Sequence, residues 1–154
     1  MQEEEKIKQI LNELLEKMGF SVQIDIQETT ENLQFIIRTD EAGLLIGEEG
    51  QNLIALNHLL KRLIEKNIGR TRLPFALDVN DYQKQKAEEI KDLARLSAQR
   101  VRFFKKEVAL RPMTSYERRI VHAALTEYPD IVTESIGTEP QRRVVIKLFE
   151  ENKF

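Results

Sequence analysis

From Asp81 to Val108 the chain contains neither glycine nor proline. A stretch of that length without either breaker reads as one continuous helix, because the two residues that most strongly oppose helix are absent from it. Ile90, Leu93, Leu96, Val101 and Phe104 keep helical register along it. Such a helix divides the 154 residues into two regions of different pattern. A chain of this length has room for two small domains.

The first region switches between two periodicities. Ile7, Ile10, Leu11, Leu14, Leu15 and Met18 recur at helical spacing, and Gly19 is placed to end that helix. Phe20, Val22, Ile24 and Ile26 then alternate with polar residues, the pattern of a half-buried strand. Thr29 to Asn32 supplies a turn, and Leu33 to Thr39 a second strand with Phe35 and Ile37 inward. A short apolar segment, Ala42 to Ile46, runs into Gly47-Glu48-Glu49-Gly50. A helix carrying Leu53, Leu56, Leu60 and Leu63 follows, stopped by Asn67 and Gly69. Leu73 to Asn80 reads as a third strand, with Phe75, Leu77 and Val79 on one face. The expected order is α-β-β-α-α-β.

Beyond the long helix, Arg111-Pro112 breaks the pattern. Thr114 and Glu117 have capping-box spacing and start another helix. Tyr116, Ile120, Val121, Ala124 and Leu125 give that helix an apolar side, and Pro129 ends it. Ile131 to Thr133 and Arg143 to Leu148 read as strands, joined by a turn-rich stretch around Gly137 and Pro140. The expected fold class is α+β, in two small domains: residues 1–80, then residues 81–154, with 81–107 as the connecting helix.

Composition narrows the chemistry. There is no cysteine, which removes disulfides and thiolate nucleophiles; with two histidines besides, a zinc site is not expected. No apolar run approaches the roughly 18 residues of a membrane span. The acidic opening, Met1 to Ile7, is unlike a signal peptide, so a cytoplasmic protein is expected. Glu48 and Glu49 are adjacent on a turn and lack the contrasting environments that acid–base catalysis needs. His58 reads as a structural or surface residue. No phosphate-binding Walker loop and no nucleophile elbow appear. Neither a catalytic site, a cofactor nor a small-molecule substrate is expected.

Charge is unevenly distributed. Residues 1–80 hold 9 Lys+Arg against 14 Asp+Glu, and residues 81–154 hold 15 against 12. Within the second region, Arg95, Arg100, Arg102, Lys105, Lys106, Arg111, Arg118 and Arg119 face only Glu107 and Glu117 between residues 95 and 119. A cationic stretch of this kind suits the phosphates of a nucleic acid, and equally suits a solvated helix face.

Two short patterns add to this. Gly47 and Gly50 stand between an apolar segment and an amphipathic helix. Glycine lets backbone approach a phosphate closely, and the helix start presents unpaired N–H groups in the same direction. Arg118 and His122 are four apart, which on a helix puts both on one face. Together they could hold a phosphate, the arginine as a bidentate donor and the histidine as a second donor, stronger when protonated.

Ile46-Gly47-Glu48-Glu49-Gly50-Gln51-Asn52-Leu53 resembles the KH signature, and the element order resembles the type II KH arrangement. Pro112-Met113-Thr114-Ser115-Tyr116-Glu117-Arg118-Arg119-Ile120-Val121-His122 resembles the signature of the R-three-H domain, named for its Arg-x-x-x-His spacing. Ser135 to Ile146 resembles the end of that domain. KH followed directly by R-three-H resembles the bacterial Jag family, also called SpoIIIJ-associated or KhpB proteins. Many members carry a further N-terminal Jag domain and a linker, which this sequence lacks.

The resemblance implies binding of single-stranded RNA, an RNA chaperone or regulatory role linked to cell shape and cell-wall homeostasis, and partnership with a small stand-alone KH protein. It points to Ile46, Gly47, Glu48, Glu49, Gly50 and Leu53 in the first domain and to Arg111, Arg118, Arg119, His122, Arg142 and Arg143 in the second. The loop departs from the family pattern in one respect: its two variable positions are both acidic, and carboxylates beside a phosphate repel it. Two alternatives therefore stay open. The chain could bind single-stranded DNA, since an Arg/His phosphate contact needs no 2′-hydroxyl. Or it could be an assembly protein whose KH unit contacts another KH protein while the second domain binds nucleic acid.

Overall fold

The structure, a computed structural model, describes residues 2–150. They divide into two compact units, with the boundary between Gln83 and Lys84.

The first unit contains α1 (Glu3–Lys17), β1 (Gln23–Glu28), β2 (Leu33–Arg38), α2 (Ala42–Ile46), a 3₁₀ turn (Glu48–Gly50), α3 (Gln51–Asn67) and β3 (Phe75–Val79). This is the expected α-β-β-α-α-β order. The strands form one sheet in the order β1-β2-β3, with β1 antiparallel and β3 parallel to β2. A parallel neighbour needs a crossover, and α2 with α3 supplies it. Alternation places Ile24, Phe35, Ile37, Phe75, Leu77 and Val79 on one face. There they form a single core with Ile7, Leu11 and Leu15 of α1 and with Leu53, Leu56, Leu60 and Ile64 of α3. Phe35 and Phe75 meet edge to face, their centroids 6.2 Å apart. On α3 the buried stripe ends at Ile64 rather than Leu63, which is half-buried. The step from Leu60 to Ile64 stays closer to the helix period.

In the second unit, α4 (Tyr82–Phe104), which begins just before the boundary, is followed by β4 (Val108–Ala109), α5 (Ser115–Leu125), β5 (Ile131–Ile136) and β6 (Arg143–Leu148). The three strands form an antiparallel sheet with β6 in the centre, in the order β4-β6-β5. The long helix forms as expected, but its buried stripe is Ile90, Ala94, Ser97, Ala98 and Val101. Leu96 and Phe104, which keep helical register in the sequence, are exposed at 49% and 62%. Small side chains at 94, 97 and 98 occupy the core side, and a reading weighted by side-chain size chooses the larger residues beside them. Val121 and Leu125 of α5, Ile131 of β5, and Val144 and Ile146 of β6 complete that core. Tyr116, expected on the apolar side of α5, is 56% exposed. Thr114 caps α5 by accepting from the Glu117 backbone N–H at 3.2 Å.

Candidate nucleic-acid interface

The loop of the first unit is built around its glycines. Gly47 ends α2 at φ 73°, ψ −174°, a region populated almost only by glycine. A Cβ there would lie 2.5 Å from Asn52 Cγ. Asn52 cannot easily withdraw, because its Nδ2 donates to the Leu44 carbonyl at 2.9 Å and ties α3 to α2. Gly50, at φ 82°, is the N-cap of α3, and a Cβ would approach Tyr82 Cε1 to 3.1 Å. Being glycine, it offers no side-chain cap, and at the start of α3 the Gln51 N–H donates to the Glu48 carbonyl of the 3₁₀ turn. Glu48 and Glu49 are exposed, and Glu49 holds φ 53°. Ile46 is half-buried against the core, and Leu53 is a core residue at 1% exposure, so it anchors the helix from inside. Beside the loop lies an apolar groove lined by Met18, Phe20, Leu44, Asn52, Ala55 and Leu59.

Arg118 and His122 are used differently. Both lie on α5 and face the interior of the second unit. The Arg118 guanidinium donates to the Met113 carbonyl and, through Nη2, to Glu139 at 2.8 Å. The residue is 8% exposed, whereas the Glu139 side chain is 60% exposed. His122 Nδ1 is hydrogen-bonded to the Thr133 hydroxyl of β5. Burial, and then the nearby Arg118 charge, hold the His122 imidazole below its ordinary pKa. Both causes disfavour the charged ring, which is joined to the sheet at one nitrogen.

The other arginines assigned from sequence divide by what they touch. Arg142 donates to the carbonyls of Gly137 and Ser135, which closes the turn between β5 and β6. Arg143 is half-buried beside it, with a long contact to the Gln141 carbonyl at 3.5 Å. Arg111 lies 3.7 Å from Glu117. Arg119 is exposed and makes no ion pair among the described residues.

The basic stretch is likewise only half available. Arg95 pairs with Asp92, and Arg102 holds Asp130 through two bonds of 2.7 and 2.6 Å while its guanidinium lies over the Tyr128 ring. With Arg111 and Arg118 also paired, Arg100, Lys105, Lys106 and Arg119 remain without an ion pair among the described residues. The carboxylates that hold the paired arginines lie as far along the chain as Asp130 and Glu139, so a charge count over a sequence window could not find them. Phe103 and Phe104, between Arg100 and the lysines, are 79% and 62% exposed. Sequence periodicity gave no sign that this end of α4 is a surface.

Comparison with known proteins assigns both units. A model of the KH domain of KhpA and KhpB matches residues 4–74, and a model of the R-three-H domain matches residues 88–148. A Clostridium symbiosum protein named RNA-binding protein KhpB is 34% identical over 152 residues, covering 97% of this chain and 68% of that protein. The chain belongs to the KhpB family. A Bacillus subtilis (strain 168) protein of the same name is 31% identical over 144 residues, covering 92% of this chain and 69% of that one. For a Lactiplantibacillus plantarum KhpB the figures are 31% over 135 residues, 88% and 42%. In this chain the KH match contains the glycine-built loop, and the R-three-H match contains the α5 Arg-x-x-x-His helix. Among the described residues, no group of three His, Asp or Glu could hold a metal ion, and no helix is long and apolar enough to cross a membrane.

Proposed function

We propose that this chain binds single-stranded RNA, with the glycine loop of the first unit and the unpaired cations of the second contacting phosphate. The observation that carries this reading is the loop geometry. Gly47 and Gly50, where a Cβ would press on Asn52 and Tyr82, shape a tight loop at the start of α3, which has no side-chain cap and whose dipole favours an anion. The names of the family's members point the same way. In this reading the protein works in the cytoplasm as an RNA chaperone or post-transcriptional regulator linked to cell shape and cell-wall homeostasis, without catalysis. Arg118 and His122 hold the R-three-H surface in place, and Arg119, Arg100, Lys105 and Lys106 meet the strand.

A second reading has its own support. Met18, Leu44 and Leu59 expose apolar surface beside the loop, and the loop carries two exposed carboxylates. That combination suits a protein partner, and a small stand-alone KH protein is the proposed one.

Titrating the full chain against a labelled single-stranded RNA, the matching single-stranded DNA and the matching duplex, at one fixed salt concentration, tests the first reading. Binding of the RNA strand in preference to the duplex is expected. Equal or tighter binding of the DNA strand would make the chain a single-stranded DNA binder. Binding of neither strand would leave the assembly role.

A further inference from the structure

The C-terminal end of α4 carries two neighbouring aromatic rings that the fold does not use. Phe103 and Phe104 meet edge to face with centroids 4.9 Å apart, and both stand in solvent. Neither belongs to the core of the second unit. Helical spacing puts Arg100 three and four residues before them, on the same side of the helix. Lys105 and Lys106 follow directly. Lys105 takes φ 59° and turns the chain out of the helix. Among the described residues none of these three cations has an ion pair, and all three are exposed. The lysines also line a surface groove that runs to Lys147 and Phe149, the latter 56% exposed; Glu107 and Glu150 lie along it as well.

Exposed rings among unpaired cations are the combination that holds single-stranded nucleic acid. Every base has a π face, so stacking on an aromatic is tolerant of sequence, while the cations follow the backbone. The cations around the rings favour an anionic partner, and the phosphates of a single strand supply regularly spaced anions beside its bases.

We infer that Phe103 and Phe104, with Arg100, Lys105 and Lys106, form a stacking platform for unpaired bases. The inference rests on the single-strand-binding reading above and adds base contacts to the phosphate contacts which that reading gives these cations. The rings meet the bases and the cations meet the phosphates, so the two contributions separate in experiment.

The test uses the full chain and a labelled 12-nucleotide single-stranded RNA, with affinity measured across a salt series. Phe103→Ala with Phe104→Ala should weaken binding by roughly tenfold to a hundredfold while leaving the salt slope unchanged. Phe103→Leu with Phe104→Leu, which keeps apolar surface and removes the π faces, should lose most of that affinity too. Arg100→Gln with Lys105→Gln and Lys106→Gln should instead reduce the salt slope, by about 0.7 for each phosphate that is no longer neutralised. All positions are exposed, and a circular-dichroism melt verifies that each variant is folded. Unchanged RNA affinity in both phenylalanine variants would overturn the platform while leaving RNA binding by the chain intact. Alanine weakening binding while leucine preserves it would also overturn stacking, in favour of a plain apolar contact. A wild-type chain that binds no single strand at all would overturn both the platform and the reading beneath it.

Discussion

The two motifs that mark this chain, the loop between α2 and α3 and the Arg-x-x-x-His turn of α5, are spent in opposite ways. In the loop, Gly47 and Gly50 remove side chains where Asn52 and Tyr82 pack close, and the charged residues Glu48 and Glu49 stand in solvent. On α5, Arg118 turns inward to the Met113 carbonyl and Glu139, and His122 to Thr133. The first motif makes a surface by omission. The second makes a scaffold from groups that spacing alone would assign to a ligand. Arg118, part of the Arg-x-x-x-His pattern, is buried and bonded within the unit, while its neighbour Arg119 is exposed.

The largest effect that would break this contrast is on stability. Arg118→Ala leaves the buried Met113 carbonyl unpaired and empties the volume of the arginine stem. A missing hydrogen bond to a charged group and an unsatisfied buried acceptor together suggest a cost of about 2–3 kcal/mol, with the exposed Glu139 limiting the ion-pair share. Arg119→Ala, on the exposed side of the same helix, should stay within about 0.5 kcal/mol. It should nevertheless lower the salt slope of RNA binding by about 0.7 if Arg119 meets a phosphate. Urea denaturation of the two variants decides the matter. Equal stabilities would mean that Arg118 is a ligand group and not part of the scaffold.

Gly47→Ala tests the other motif. A residue with a Cβ is strained at φ 73°, ψ −174°, and the new atom would press on Asn52, which holds α2 to α3. A cost of about 1–2 kcal/mol is expected, together with loss of whatever RNA affinity the loop provides. A stable variant with unaltered binding would show the loop to be an ordinary turn.

A gain of function sharpens the comparison from the side of charge. Replacing Glu48 and Glu49 with lysine reverses two charges beside the start of α3. If phosphate lies there, affinity should rise about tenfold at low salt, and less as salt increases. The control places the same two changes at Glu13 and Glu31, which are also exposed. Equal gains from both pairs would remove the loop from the interface and favour a protein partner for the first unit.

Legibility in the sequence followed the same division. The α-β-β-α-α-β order could be read because large apolar residues alternate or recur at clean periods, as in Phe75, Leu77 and Val79 of β3. The α4 stripe could not, because alanine and serine at 94, 97 and 98 carry little hydrophobic signal beside Leu96 and Phe104. Nor could β4, whose two residues are a strand only because β6 lies beside them. At the site, the glycine positions were legible because a positive φ leaves its mark on residue type. The inward turn of Arg118 was not, since Glu139 lies 21 residues away and only the fold brings it near.

The smallest expected effect belongs to His122, and its sign is fixed by the two causes that lower its pKa. Burial disfavours the charged ring, and Arg118 repels it. In the unfolded chain the group titrates near about 6.5. As pH falls through that value, the unfolded state takes up a proton before the folded state does. Stability contributed by the neutral ring is therefore present above about 6.5 and declines below it, until the folded-state pKa is passed. Asp130 and Glu134, whose carboxyls are held low by Arg102 and Lys147, lose their contributions only at more acid pH. Between pH 7.5 and 5 the His122 contribution can accordingly be separated from theirs. His122→Gln should flatten the decline of stability over that interval. An NMR titration of the imidazole should give a midpoint below 6.5, moving upward in Arg118→Ala, where the repelling charge is gone. Addition of RNA distinguishes the two uses of the motif. A phosphate against the ring would stabilise the imidazolium and raise the midpoint, whereas a scaffold histidine should titrate unchanged. A midpoint at or above 6.5 in the free protein would contradict the scaffold role assigned to this half-buried ring.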